Sequence, residues 1–271
     1  MSPNPSDPAG PLAGQLALRL HEARLAALEV PRLTLTHPAL DLAEAYRIQA
    51  EGIRLREKAG ETVVAYKMGL TSEGKRRQMG LHEAIFGVLT DRMQLRAGDP
   101  YRLQGRIHPK AEPEIALRIS KALSGPISAD EAWAIVDQVA PAIEVLDSRF
   151  VGFKYFSLPD VVADNASSSD FLIGRGLPKP AHWKDLESWR LSFSSPQSLN
   201  EALGAEISGS PIRSLMDLSR LTADQGKIVP AGSWVLLGAA TAAVTLHSGM
   251  RVKFALECPG GSSQRMELQA L

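Results

Sequence analysis

The chain has 271 residues, 44% of them hydrophobic, which suits a soluble globular protein with enough chain for a large core. Thirty basic and thirty acidic residues cancel, so there is no basic excess to draw nucleic acid, and the expected partners are small molecules or other proteins. A single cysteine, Cys258, excludes an intramolecular disulfide and a cysteine-based zinc site and fits the cytoplasm; no apolar run approaches the roughly 18 residues of a membrane span.

The start, "MSPNPSDPAGPLAG", is proline-rich and lacks the basic and apolar regions of a signal peptide, so residues 1–14 are expected to be a disordered leader. Residues 15–80 read as a mainly helical region. Leucine and alanine recur at helical spacing in "QLALRLHEARLAALE", and Asp41 caps a second helix that Gly60 closes. "TVVAYKMGL" is rich in β-formers and reads as a strand, followed by a loop and short helix in "TSEGKRRQMG". Residues 81–271 read as a β-rich domain forming one compact unit with the helical region. Within it, Ser128 and Glu131 form a capping box for a helix that Pro141 should end, and "AIEVLDSRF" has strand character. "VVADNASSSDFLIG" reads as a turn-rich loop leading to an apolar segment. "RLSFSS", a helix near 211–225, "SWVLLGAATAAVTL" and "MRVKFALE" complete an α+β chain.

The chemistry starts in "HPKAEPEIALRI". Glu112 and Glu114 stand two apart in a run that otherwise alternates as a strand does, which puts both carboxylates on one face. In water that repulsion is small. Turned inward it is large unless a cation lies between them. Glu144, in "PAIEVLDSRF", is a third carboxylate inside an apolar strand-like run. Three carboxylates without a nearby histidine or cysteine cluster form an oxygen set suited to Mg²⁺ or Mn²⁺. Spacing alone leaves a solvated strand edge as an equal alternative.

Four blocks, "KMGLTSEGKRRQMG", "IHPKAEPEIAL", "EVLDSRF" and "DVVADNASSSDF", occur in an order and spacing similar to the hydratase and decarboxylase branch of the fumarylacetoacetate hydrolase superfamily. The resemblance covers roughly residues 40–255. It implies the superfamily's mixed β-sheet roll with an N-terminal helical region, and it makes Glu112, Glu114 and Glu144 the ligands of a divalent cation, usually Mg²⁺. By the same resemblance Lys67 is the active-site lysine, in electrostatic contact with a substrate or enolate oxygen; on residue type alone it would be a snorkelling surface lysine. Thr71, Ser72, Asn165, Ser167 and Ser168 become candidates for substrate-carboxylate contacts, with ordinary turn chemistry as the alternative for each. Asp147 and Arg149 either orient the metal site or form a structural ion pair. His82, His108 and His247 have no partner at ligand spacing and are read as non-ligands.

Within this branch, the hydratases carry an aspartate eighteen residues after the lysine, where this chain has Ile85; twelve residues after it, where hydratases usually have leucine, stands Met79. Both match the decarboxylases, as do "IHPK" and "GFKYF". A hydratase needs an acid to deliver a proton and position water. An apolar Ile85 removes that acid and dries the pocket around a departing carboxylate. The resemblance therefore implies a decarboxylase of 2-oxo-3-hexenedioate in meta-cleavage aromatic degradation. The rivals are a 2-hydroxypenta-2,4-dienoate hydratase and a silent partner subunit of one; a homo-oligomer and a decarboxylase–hydratase complex are also implied. The chain departs from its relatives at Ser210, where they often have histidine, in "LLGAAT", and after Cys258.

Overall fold

The computed structural model describes residues 11–71, 84–153 and 157–271. Ser72, Met79 and His82 lie outside the described residues. The first helix, α1 (Pro11–Ala26), starts inside the stretch expected to be leader. Proline suits a first helical position because its missing N–H has no intrahelical partner there in any case. A short α2 (Leu33–Thr36) leads to α3 (Leu42–Lys58), where the Asp41 carboxylate accepts from the Glu44 N–H at 2.8 Å and Gly60 follows in the left-handed region, as the capping pattern predicts. α1 packs along α3.

The body is a seven-stranded sheet in the order β2–β1–β8–β3–β4–β5, with β9 (Val244–Thr245) also paired to β3. Its strands are β1 (Val63–Gly69), β2 (Ile85–Thr90), β3 (Lys110–Ile119), β4 (Val136–Leu146), β5 (Ser168–Ile173) and β8 (Trp234–Ala239). Only β1 and β8 run parallel among these pairs. β1, which follows the N-terminal helices, thus joins the same sheet as β2, β3, β4, β5 and β8. A second sheet, β11–β10–β6–β7, is built from β6 (Arg190–Ser194), β7 (Leu199–Leu203), β10 (Arg251–Glu257) and β11 (Ser263–Gln269). The remaining helices are α4 (Ala129–Ile135), α5 (Leu158–Ala163) and α6 (Pro211–Asp224).

Two expectations are corrected. α4 has the predicted capping box, but it stops at Ile135, and Pro141 sits inside β4 opposite Ile115. The β-branched Val136 and Val139 favour the strand, and although proline donates no bond, the Pro141 carbonyl still accepts from the Gly174 N–H at 2.8 Å. The "VVADNASSSDF" stretch is not a loop: α5 covers its start and β5 its end, joined by a turn in which Asn165, Ala166 and Ser167 are all left-handed.

The large sheet curls. Lys67 on β1 lies three strand steps from Glu144 on β4, roughly 14 Å across a flat sheet. Its Nζ nevertheless stands 3.2 Å from Glu144 Oε1. The two outer strands are drawn together by the turn before β5: the Asn165 side chain accepts from the Val88 N–H at 2.9 Å and donates to the Val88 carbonyl at 2.8 Å, acting as one more strand residue against the edge of β2. Gln94, just past β2, bridges to Phe171 of β5, and the Leu95 N–H donates to the Phe171 carbonyl at 2.7 Å. Inside the roll, Ala65, Leu89, Ala116, Ala142, Phe171 and Leu236 form a small apolar cluster separate from the main core. Each comes from a different strand. Two residues further along β1, β2, β3, β4 and β8, on the same face, stand Lys67, Gly87, Glu114, Glu144 and Gly238. The polar layer rests on a dry floor.

Candidate active site

Glu112 on β3 pairs directly across from Glu144 on β4, and Glu114 is two residues along the same face. The strand alternation read in the sequence thus holds, but the face is internal: Glu114 and Glu144 are fully buried and Glu112 partly so. One oxygen from each of the three lies within 4.8 Å of the others. Their compensation is sparse. Glu114 Oε2 accepts from the Gly238 N–H at 2.7 Å, and Lys67 forms the charge contact to Glu144 already described. Glu114 Oε1 and both Glu144 oxygens accept no aligned hydrogen bond. Burial, then the Glu144 charge, holds the Glu114 carboxyl well above its ordinary range.

Among the described residues, the two fully buried carboxylates of Glu114 and Glu144 meet a single ammonium, Lys67, and a protein tolerates such an excess of buried negative charge by protonation or by binding a cation. Hard oxygen donors without nitrogen or sulfur match Mg²⁺ or Mn²⁺, and the orphaned oxygens are the ones free to ligate. The residues therefore fit a divalent cation.

The site depends on two glycines that sequence reasoning passed over. A register shift between Glu114 and Ala116 makes a bulge against β8, and Gly238 sits in it at φ 105°, turning its N–H toward Glu114. A Cβ at Gly238 would stand 2.3 Å from Thr71 Oγ1, so the same glycine seats the buried Thr71 against the carboxylate layer. Gly87, the cross-strand partner of Lys67, is equally tight: a Cβ there would meet Ser168 Oγ at 2.6 Å and Lys67 Cε at 3.1 Å. Glycine inside a strand-like run, as in "IFGVLT" and "VLLGAAT", is the signal that marks such close approaches.

Ile85 is buried and packs beside Lys67 on the open side of Gly69, where the position of a Cβ lies 3.1 Å from Ile85 Cγ1 and 3.8 Å from Lys67 Nζ. Ser168 is buried with an unpartnered hydroxyl, and the Ser167 carbonyl accepts from the Asp147 N–H at 2.8 Å. Asn165 is brought beside this group, but its amide is occupied by the Val88 backbone. Arg149 pairs with Asp164 rather than with the Asp147 carboxylate; it donates to the Asp147 carbonyl at 2.7 Å and the Ser168 carbonyl at 3.2 Å. Burial pushes the Asp164 carboxyl up to about 6 against the pull of Arg149. The Asp147 carboxylate accepts from the Ile107 and His108 N–H groups, anchoring the approach to β3. His108 Nε2 meets Glu29 at 2.5 Å.

No family model matches the chain. It is 42% identical over 249 residues to a 4-oxalocrotonate decarboxylase of a Pseudomonas species, covering 92% of this chain and 96% of the relative. It is 34% identical over 249 residues to the 2-hydroxyhexa-2,4-dienoate hydratase of Comamonas testosteroni, covering 90% and 94%. Among solved structures, the 4-oxalocrotonate decarboxylase of Pseudomonas putida G7, complexed with magnesium and adipate, superposes with a TM-score of 0.89 at 32% identity over 96% of this chain and 97% of that one. A putative fumarylacetoacetate hydrolase family protein of Yersinia pestis CO92 shares the fold, with a TM-score of 0.58 at 18% identity over 78% and 94%. The curled sheet, its helical N-terminal region and this identity along almost the whole length agree: the chain belongs to the family of 4-oxalocrotonate decarboxylases and 2-hydroxydienoate hydratases, built on the fumarylacetoacetate hydrolase fold.

Proposed function

We propose that the protein is a Mg²⁺-dependent decarboxylase that converts 2-oxo-3-hexenedioate (4-oxalocrotonate) to 2-hydroxypenta-2,4-dienoate and CO₂. The observation that carries this reading is the trio Glu112, Glu114 and Glu144, two of them fully buried, beside Lys67, with the apolar Ile85 packed next to that lysine. Its similarity to named decarboxylases exceeds that to the hydratase compared with it.

The trio would hold the cation, which when bound polarises the 2-oxo group as a Lewis acid. Lys67, held 3.2 Å from Glu144 Oε1, offers an ammonium donor where negative charge grows on the substrate's enolate oxygen. Thr71 and Ser168, both buried at the edges of the polar layer, supply hydroxyls to orient the 2-oxo acid end; Ser72, Met79 and Ser167 complete the proposed substrate set, and Asn165 positions this edge through Val88. Ile85 excludes water near the amine and provides no proton to a dienol carbon, so the dienol leaves unhydrated. The electrons of the broken carbon–carbon bond run through the conjugated chain to the 2-oxo oxygen. No organic cofactor is needed, because the 2-oxo group is itself the electron sink.

The hydratase of the same family is the second reading, favoured by the chain's identity to hydratases such as the Comamonas enzyme. One experiment separates them. Purified protein with Mg²⁺ and 2-oxo-3-hexenedioate should release CO₂ as the dienol absorbance rises. Hydration of synthetic 2-hydroxypentadienoate, without CO₂ from the hexenedioate, overturns the decarboxylase reading. We further propose a cytoplasmic homo-oligomer able to hand its unstable dienol to a partner hydratase; among the described residues no helix is long and apolar enough to cross a membrane.

A further inference from the structure

Between α1, α3 and the 163–168 turn lies a cavity of about 40 Å³, enough for a ligand of only a few heavy atoms. Its wall carries Arg24, Arg56 and Arg149, the carboxylate of Asp164, and Gln49 and Ser168. Two of these cations already have counter-charges: Arg56 pairs with Glu61 at 3.1 Å and Arg149 with Asp164. Arg24 has no ion pair among the described residues, and its Nε is shielded from water without a hydrogen-bond partner. Burial, with Arg56 next, pushes its guanidinium down to about 10, as expected of a cation short of counter-charge.

Two further polar atoms on this wall are unpartnered, Gln49 Oε1 and Ser168 Oγ, on side chains each 1% exposed. The Gln49 amide is oriented, since Nε2 donates to the Phe86 carbonyl at 2.8 Å and leaves the oxygen as the spare group. A guanidinium without an ion pair calls for an anion. An orphaned amide oxygen calls for a hydrogen-bond donor on the same ligand. We infer that this cavity binds a small oxyanion that carries its own O–H group, with bicarbonate as the match: its hydroxyl donates to Gln49 Oε1 and its charged oxygens accept from Arg24. The carboxylate trio has the opposite sign and is a different site. The two are in touch through Ser168, whose Oγ and Lys67 Cε both abut the open side of Gly87.

The inference does not depend on the reaction proposed above, and binding tests it directly. Full-length protein with Mg²⁺ is titrated with ¹³C-bicarbonate and, separately, with ¹³C-acetate, following ligand line-broadening. Saturable bicarbonate binding is expected, with acetate, which has no O–H, several-fold weaker. Arg24→Gln should weaken bicarbonate roughly ten-fold, and Arg24→Lys, which keeps charge but loses the planar donor pair, less so. An undiminished affinity in Arg24→Gln would put the anion elsewhere, such as on the bound metal, and overturn the inference. So would acetate binding as tightly as bicarbonate, or no saturable binding at all. If Arg24→Gln fails to fold, Arg24→Lys decides: wild-type affinity in that variant overturns the site.

Discussion

Two regions of this molecule bury carboxylates, and they handle the cost differently. At Arg149 and Asp164 a buried acid meets a buried guanidinium that also bonds the carbonyls of Asp147, Asp164 and Ser168, so charge and hydrogen-bonding capacity are matched within the protein. At the trio of Glu112, Glu114 and Glu144, Lys67 is the one ammonium paired with a buried acid among the described residues, and three of the buried oxygens on Glu114 and Glu144 accept no aligned hydrogen bond. The first arrangement is complete without any ligand and holds the turn that closes the roll. The second is complete only with a cation. Local compensation, rather than burial, separates a structural charge from a functional one.

Substitutions can break that contrast. The largest effect is expected for Glu114→Gln, which removes a ligand charge while keeping shape: turnover should fall by on the order of a thousand-fold, about 4 kcal/mol of barrier. The metal-free protein should lose little stability, because burial raises the pKa of the native carboxyl and so favours its protonated form, which the amide resembles. Steady-state rates and thermal unfolding without metal check both halves; a large loss of metal-free stability would make the trio structural after all.

Asp164→Asn should show the reverse pattern. It strands Arg149 in the interior, so a loss of about 3–5 kcal/mol is expected in urea unfolding, since one partner of a buried pair is removed. Magnesium affinity per folded molecule should stay near that of the wild type. A Kd for Mg²⁺ that rises in step with the stability loss would join the two regions into one unit.

The pH dependence sharpens the comparison further. In the metal-free protein the folded state holds the Glu114 proton more tightly than the unfolded chain, whose carboxyl titrates near 4.5. This group therefore contributes stability at low pH that is lost as pH rises from 4.5 through its raised folded-state value. Asp164 has the same sign between 3.8 and about 6. Mg²⁺ requires the ionised trio, so the stabilisation it provides should grow with pH. Thermal midpoints across pH 4–8, with Mg²⁺ and with chelator, should diverge as pH rises in the wild type and much less in Glu114→Gln. Parallel curves in the wild type would remove Glu114 from the ligand set.

A smaller effect is expected for Ile85→Asp. The new carboxylate would stand beside Lys67 and compete with Glu144 for it. Decarboxylation should fall roughly ten-fold, with at most a trace of hydrated product, since one residue rarely transplants a reaction. Product analysis by NMR measures it; unchanged turnover would place Ile85 outside the reacting pocket.

Much of this was legible before any fold was known. The two-residue spacing of Glu112 and Glu114 put them on one face, the Asp41 and Ser128 caps started α3 and α4, and the motif blocks identified the family, because each depends on neighbours within a few positions or on local pattern. Spacing did not say whether the shared face pointed to water or inward. That was decided by the curl of the sheet, which brings β1 to β4 across three strand steps. The same distance in sequence hid the true partner of Arg149, the use of the Asn165 amide to tie Val88, and the need for Gly87 and Gly238 to have no Cβ. Composition and periodicity determine which face a residue shares along its own strand. Which distant strand meets that face, and whether the charge there is compensated, is settled only when the sheet closes on itself.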